Sequence, residues 1–179
     1  MAKDFDPHRL DIRRFAEEGG VLGATDPLLR YRRLAAETDA GGEREVHWQA
    51  RGEMLNPQHV QPQVWVHVHA DAALPQVCQR CLHPVEVRLA VDRSFRFVAD
   101  EATAAAEDDD AEEDLLALSH SFDLLELIED ELLMELPVAP RHEACPVDVK
   151  MSASDPAFEA AGARKENPFA VLGKLKAAK

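Results

Sequence analysis

No run of about 18 apolar residues occurs anywhere in the chain, so no segment reads as a membrane-spanning helix. The opening residues, Met1 to Pro7, lack the apolar stretch of a secretory signal, and a cytoplasmic address is expected. Cysteine is scarce, three residues in 179, and in that compartment the thiols should stay reduced. Aromatic residues make up only 6%. Catalytic signatures are missing as well: there is no nucleophile elbow, no glycine-rich phosphate loop and no His-Glu-x-x-His. The carboxylates cluster on what reads as a loop and a helix face, so none is marked as an isolated, tuned acid or base. The expectation is a protein that is not an enzyme and takes no small-molecule substrate.

What is present suits a folded domain. The chain is 46% hydrophobic and 30% charged, and its 179 residues fit one domain with appended tails. The net charge is −14 and unevenly spread. Between Ala99 and Glu135 there are fifteen Asp or Glu residues and no Lys or Arg. Positive charge lies at Arg9, Arg13, Arg14, Arg30, Arg32 and Arg33, and again at Arg164, Lys165, Lys174, Lys176 and Lys179. Such a surface repels phosphate backbones over most of its area and attracts basic partners. Residues 100–114, taken alone, equally read as a solvated, low-complexity acidic loop.

Periodicity predicts a short helix over 7–18, with Asp6 as N-cap and Pro7 at its first position, stopped by Gly19-Gly20. Asp26-Pro27 opens a second short helix or turn. Strands are predicted at Glu45 to Met54, at Gln63 to Ala70 and, most clearly, at Val85 to Phe97, where apolar residues alternate with charged ones. Leu115 to Phe122 reads as a further strand. Asp123 caps a helix to about Leu136, whose apolar stripe leaves Glu129, Asp130 and Glu131 facing water. These patterns predict an α+β fold: an antiparallel, partly barrel-like sheet with a packed helix, an acidic loop and a flexible C-terminal tail. The division expected is an N-terminal helical segment (1–40), an α+β core domain (41–149) with its acidic loop at 100–114, and a tail (150–179) ending in an apolar-basic motif.

Four side chains suit a soft metal: Cys78 and Cys81 in C-x-x-C, and His142 and Cys145 in H-x-x-C. Each pair has the spacing by which a turn aims two ligands at one tetrahedral ion, and Zn2+ is the cofactor this set would hold. The other readings are three buried or semi-exposed thiols beside a surface His, or a redox C-x-x-C; Pro84 and the strand after it argue against the redox form. His67 and His69, on one strand face beside Trp65, read as the wetter face of an antiparallel strand.

The run Val77-Cys78-Gln79-Arg80-Cys81-Leu82, then Leu136-Pro137-Val138-Ala139-Pro140-Arg141-His142 leading to Cys145, then Asn167-Pro168-Phe169-Ala170-Val171-Leu172, resembles the YceD family. The opening Phe5-Asp6-Pro7-His8-Arg9-Leu10 and the acidic helix from Asp123 fit as well. The resemblance implies a ribosome biogenesis factor with a role in synthesis, processing or stability of 23S ribosomal RNA. Its implied partners are the pre-ribosomal large subunit, a basic ribosomal protein or 23S rRNA itself. It implies no catalytic residues, and it marks Arg80, Asn167, Pro168 and Phe169 as binding positions beside the Cys/His set. A zinc- or redox-responsive regulatory binding protein is the alternative reading.

Overall fold

The computed structural model describes residues 5–38, 43–60, 62–150, 152, 153, 155, 157 and 158. The chain forms two compact units, Met1–Glu143 and Ala144–Lys179. In the first, α1 (Ile12–Glu17) leads into β1 (Val21–Pro27), a 3₁₀ turn at Leu28–Arg30 and α2 (Arg32–Ala36). Three long strands follow, β2 (Glu45–Leu55), β3 (Gln63–Val77) and β4 (Pro84–Val98), then α3 (Glu101–Glu107), β5 (Asp114–Ala117) and α4 (Leu124–Met134).

The strands form one sheet in the order β1-β2-β3-β4-β5. The first three pairings are antiparallel and β5 runs parallel to β4. The expected barrel-like closure is not there. β1 pairs with β2 alone and β5 with β4 alone, so the sheet ends in two edges.

Alternation explains which face is covered. Val46, Trp48 and Ala50 on β2, the even-numbered positions from Val64 to Leu74 on β3, and Leu89, Val91, Phe95 and Phe97 on β4 all point to one side and are buried. On that side lie Ile12, Phe15 and Ala16 of α1 and Leu124, Leu125, Ile128 and Leu132 of α4, in one core. Gly52 permits the approach of α1, because a Cβ there would come within 2.7 Å of the backbone oxygen of Phe15.

Several local expectations are corrected. The first helix starts later, with Asp11 as its N-cap accepting from the N–H of Arg14 at 3.0 Å, while Asp6 accepts from Arg9 in a preceding turn. Gly19, at φ 58°, ends that helix as expected. β1 was not foreseen, because Gly23 and the Asp26-Pro27 pair break any alternation within it.

The acidic run is not a loop. Asp100 caps α3 by accepting from Thr103 N–H at 2.8 Å, and the chain continues through a 3₁₀ turn at Asp108–Asp110 into β5. Glu129 and Glu131 are buried, not facing water. Of the tail at 150–179, all but Lys150 and residues 152, 153, 155, 157 and 158 lies outside the described residues.

Candidate metal centre

β3 and β4 form a long hairpin whose last registered pair is Val77 with Pro84. Residues 78–83 make its tip. Cys78 N–H donates to His83 O at 2.9 Å and Leu82 N–H to Cys78 O at 2.8 Å, closing a tight turn. The turn requires Leu82 at φ 60°, a left-handed conformation that costs an L-residue about 1–2 kcal/mol. This bend brings the two side chains of the C-x-x-C together.

The segment after α4 returns to the same tip. Gln79 N–H donates to Pro140 O at 2.8 Å, and the Arg80 guanidinium donates to His142 O at 2.6 Å. Arg80, marked in the sequence as a binding position, thus holds the backbone that carries His142. The His142 ring lies with Nε2 3.0 Å from Pro84 O and Nδ1 3.4 Å from Cys81 Sγ. A carbonyl only accepts, so Nε2 carries the proton and Nδ1 presents a lone pair toward the sulfur.

Cys78, Cys81 and His142 each offer one ligand atom, and these atoms lie within 4.8 Å of one another, while Cys145, the fourth residue of the predicted set, falls in the second unit. Cys78 is buried, Cys81 and Cys145 are half-buried, and no disulfide joins any of the three. Burial acts to raise the Cys78 pKa. The backbone N–H groups of His142, Cys81 and Arg80, with the Cys81 side chain, outweigh it and draw the thiol down to about 5. Two cysteines and a histidine brought together in this way are compatible with zinc.

The other marked residues fare differently. Asn167, Pro168 and Phe169 lie outside the described residues. His67 sits between Ser94 Oγ at 2.8 Å and the Glu53 carboxylate at 2.9 Å, on the solvent-facing side of the sheet. Among the described residues, no group of three or more metal-ligating side chains forms around it. The basic triplet is largely occupied: Arg30 pairs with Asp26, and Arg33 with Glu129 and Asp130. The Pro84 carbonyl, which orients His142, was missed because backbone groups leave no mark in a side-chain motif.

The fold and this cluster define an α+β protein that carries two cysteines and a histidine at a hairpin tip. The family model described as large ribosomal RNA subunit accumulation protein YceD matches residues 66–176, more than half of the chain. The chain belongs to that family, and a role in accumulation of large-subunit ribosomal RNA follows from the membership. No solved structure matches the chain.

Proposed function

We propose that the protein is a cytoplasmic biogenesis factor for the large ribosomal subunit, which supports 23S rRNA by binding and not by catalysis. Family membership carries the large-subunit rRNA part of this reading. The charge distribution supports a basic protein as the direct partner.

Arg96 pairs with Glu107 and Glu113, and Arg93 with Asp114 and Glu131. Those acids are neutralised within the fold. Asp108, Asp109, Asp110 and Glu112 have no ion pair among the described residues and are exposed, forming an acidic ridge that leads into β5. A ribosomal protein not yet on its RNA carries the complementary charge, and long-range attraction of this kind raises association rates. Arg30 and Arg33 are committed to internal carboxylates, so they are poor candidates for displacing counterions from an RNA backbone. Among the described residues no helix is long and apolar enough to cross a membrane.

The reading is tested by fractionating cell extracts on sucrose gradients and measuring rRNA after depletion. The chain should migrate with large-subunit precursors, and depletion should lower 23S rRNA relative to small-subunit rRNA. A chain that stays at the top of the gradient, with unchanged 23S rRNA, would sink it. Cleavage of large-subunit rRNA by the purified protein would overturn the non-catalytic part.

A further inference from the structure

We infer that the free edge of β4, from Glu86 to Asp92, takes up an extended, basic peptide segment as an added strand. The inference rests on the reading of a basic protein as direct partner, and it names how that partner is held. β3 and β4 pair without a bulge from Val64–Phe97 to Val77–Pro84. Along such an antiparallel pair, backbone groups point alternately toward the partner strand and away from it. Pro84 O is taken by His142 Nε2 at 3.0 Å and Val98 O by the Leu118 N–H at 2.8 Å, so the even-numbered residues point away.

β5 covers this edge only from Phe95 to Val98. Between those two contacts, the N–H and C=O groups of Glu86, Arg88, Ala90 and Asp92 have no backbone partner among the described residues, and all four residues are exposed. At about 3.3 Å per residue this vacant lane is about 20 Å long, room for a strand of ordinary length.

The lane has an apolar end and an acidic end. Near the hairpin tip, Val85 and Val87 on the helix-covered side are half-buried, whereas Leu89 and Val91 further along are buried. An added strand would set its own alternate side chains beside those two valines. At the other end, Asp114 opens β5 opposite Phe95. Arg93 holds Asp114, and Arg96 holds Glu107 and Glu113, so the acidic stretch is fixed where the lane stops. A segment leaving the lane there meets the unpaired carboxylates of the ridge.

Main-chain hydrogen bonds along an edge select an extended peptide, and the charge at its end selects a basic one. A second copy of the chain fits poorly. Two β4 edges paired together would bring the acidic stretch of one chain toward Glu86 and Asp92 of another, in chains of net charge −14.

The test titrates basic large-subunit ribosomal proteins, purified singly and free of RNA, into the full chain and reads amide hydrogen exchange by NMR. A protein that binds should slow exchange at Glu86, Arg88, Ala90 and Asp92 at least tenfold, while the amides of β1, at the opposite edge of the sheet, keep their rates. Ala90→Pro removes one donor from the lane and no ladder bond to β3. It should raise the dissociation rate at least tenfold with the association rate unchanged. Ala90→Lys, which leaves the backbone intact and charges the edge, should also speed release, and it covers the case of a proline that disturbs folding.

Binding without protection of these amides, or with parental dissociation rates in both variants, overturns the added strand while the basic partner stands. Protection of the same amides in the chain alone, as its concentration rises, would give the edge to a second copy instead. If none of these proteins binds, the basic partner is overturned and the added strand with it.

Discussion

The Glu129 carboxylate caps a helix to which it does not belong, accepting the backbone N–H of Arg33 at 2.7 Å, with that of Leu34 at 3.2 Å. These are the second and third residues of α2, the donors that an N-cap side chain ordinarily satisfies. Tyr31, at the cap position, makes no such bond. The same carboxylate takes the Arg33 Nε at 3.0 Å. Glu129→Ala would leave one part-buried and one buried backbone donor, and one guanidinium, without this partner. A loss of about 2–3 kcal/mol is expected, read as a lower urea midpoint with unchanged slope. Arg33→Ala should cost less, since Arg33 is half exposed. A Glu129→Ala variant as stable as the parent would show that the cap contributes nothing.

Glu131 behaves in the opposite sense. Burial raises its carboxyl above the ordinary 4.5, although Arg93 Nε at 3.4 Å draws it down. A raised folded-state pKa means the folded chain holds its proton when the unfolded chain has released it. The contribution to stability is fully present below 4.5 and is lost as pH rises through the raised value. Glu131→Gln should therefore raise the melting temperature near neutral pH, with the gain vanishing in acid. Arg93 retains Asp114 at 2.9 Å in that variant. A gain equal at both pH values would exclude titration of Glu131 as its source.

Leu82 offers a test of strain at the hairpin tip. Glycine adopts positive φ freely, whereas it loses more entropy on folding, so Leu82→Gly should gain at most about 1 kcal/mol. Leu82→Val, whose branched Cβ is worse in that region, should lose stability. The ranking Gly, Leu, Val by thermal melting is the expected order. Any other order would mean that the turn relaxes without strain.

Neutralising only the unpaired acids separates recognition from folding. Asp108, Asp109 and Asp110 changed to Asn, with Glu112→Gln, should slow capture of a basic ribosomal protein several-fold at low salt. The difference should fade as the Debye length shortens from about 10 to 3 Å. Melting temperature should hardly move, because exposed charges contribute little. Glu113→Gln with Asp114→Asn should do the reverse, removing partners of Arg96 and Arg93. If neutralising the ridge leaves the capture rate and its salt dependence untouched, the ridge is only a solvated face.

Much of the sheet was legible in the residues. Alternation at 64–70, and at 85–97 with a break at Arg93, gave β3 and β4 their buried face, though β3 runs on to Val77, and the capping residue Asp123 marked the start of α4. Charge misled where it was read by type alone. Glu129 and Glu131 look like a wet helix face, yet they are buried by partners about 95 and 38 residues away, Leu34 and Arg93, which no local window contains. The acidic run hid α3 because alanines between acids carry no apolar period. The candidate cysteines and histidine were readable from C-x-x-C and H-x-x-C. What aims them, the Pro84 carbonyl and the Arg80 bridge to His142, is backbone geometry and became visible only in three dimensions.

Cys81 and His142 are 61 residues apart in the chain and 3.4 Å apart in space. Strands β4 and β5 and helices α3 and α4 all lie inside the loop that this contact closes. The entropy of closing such a loop grows only slowly with its length, yet the two halves cannot meet until β4 has paired and α4 has docked. The cluster is therefore assembled late. A chain still being synthesised, short of His142, has only Cys78 and Cys81 at this tip, and the Cys81–His142 contact is the signature of a first unit that has finished folding.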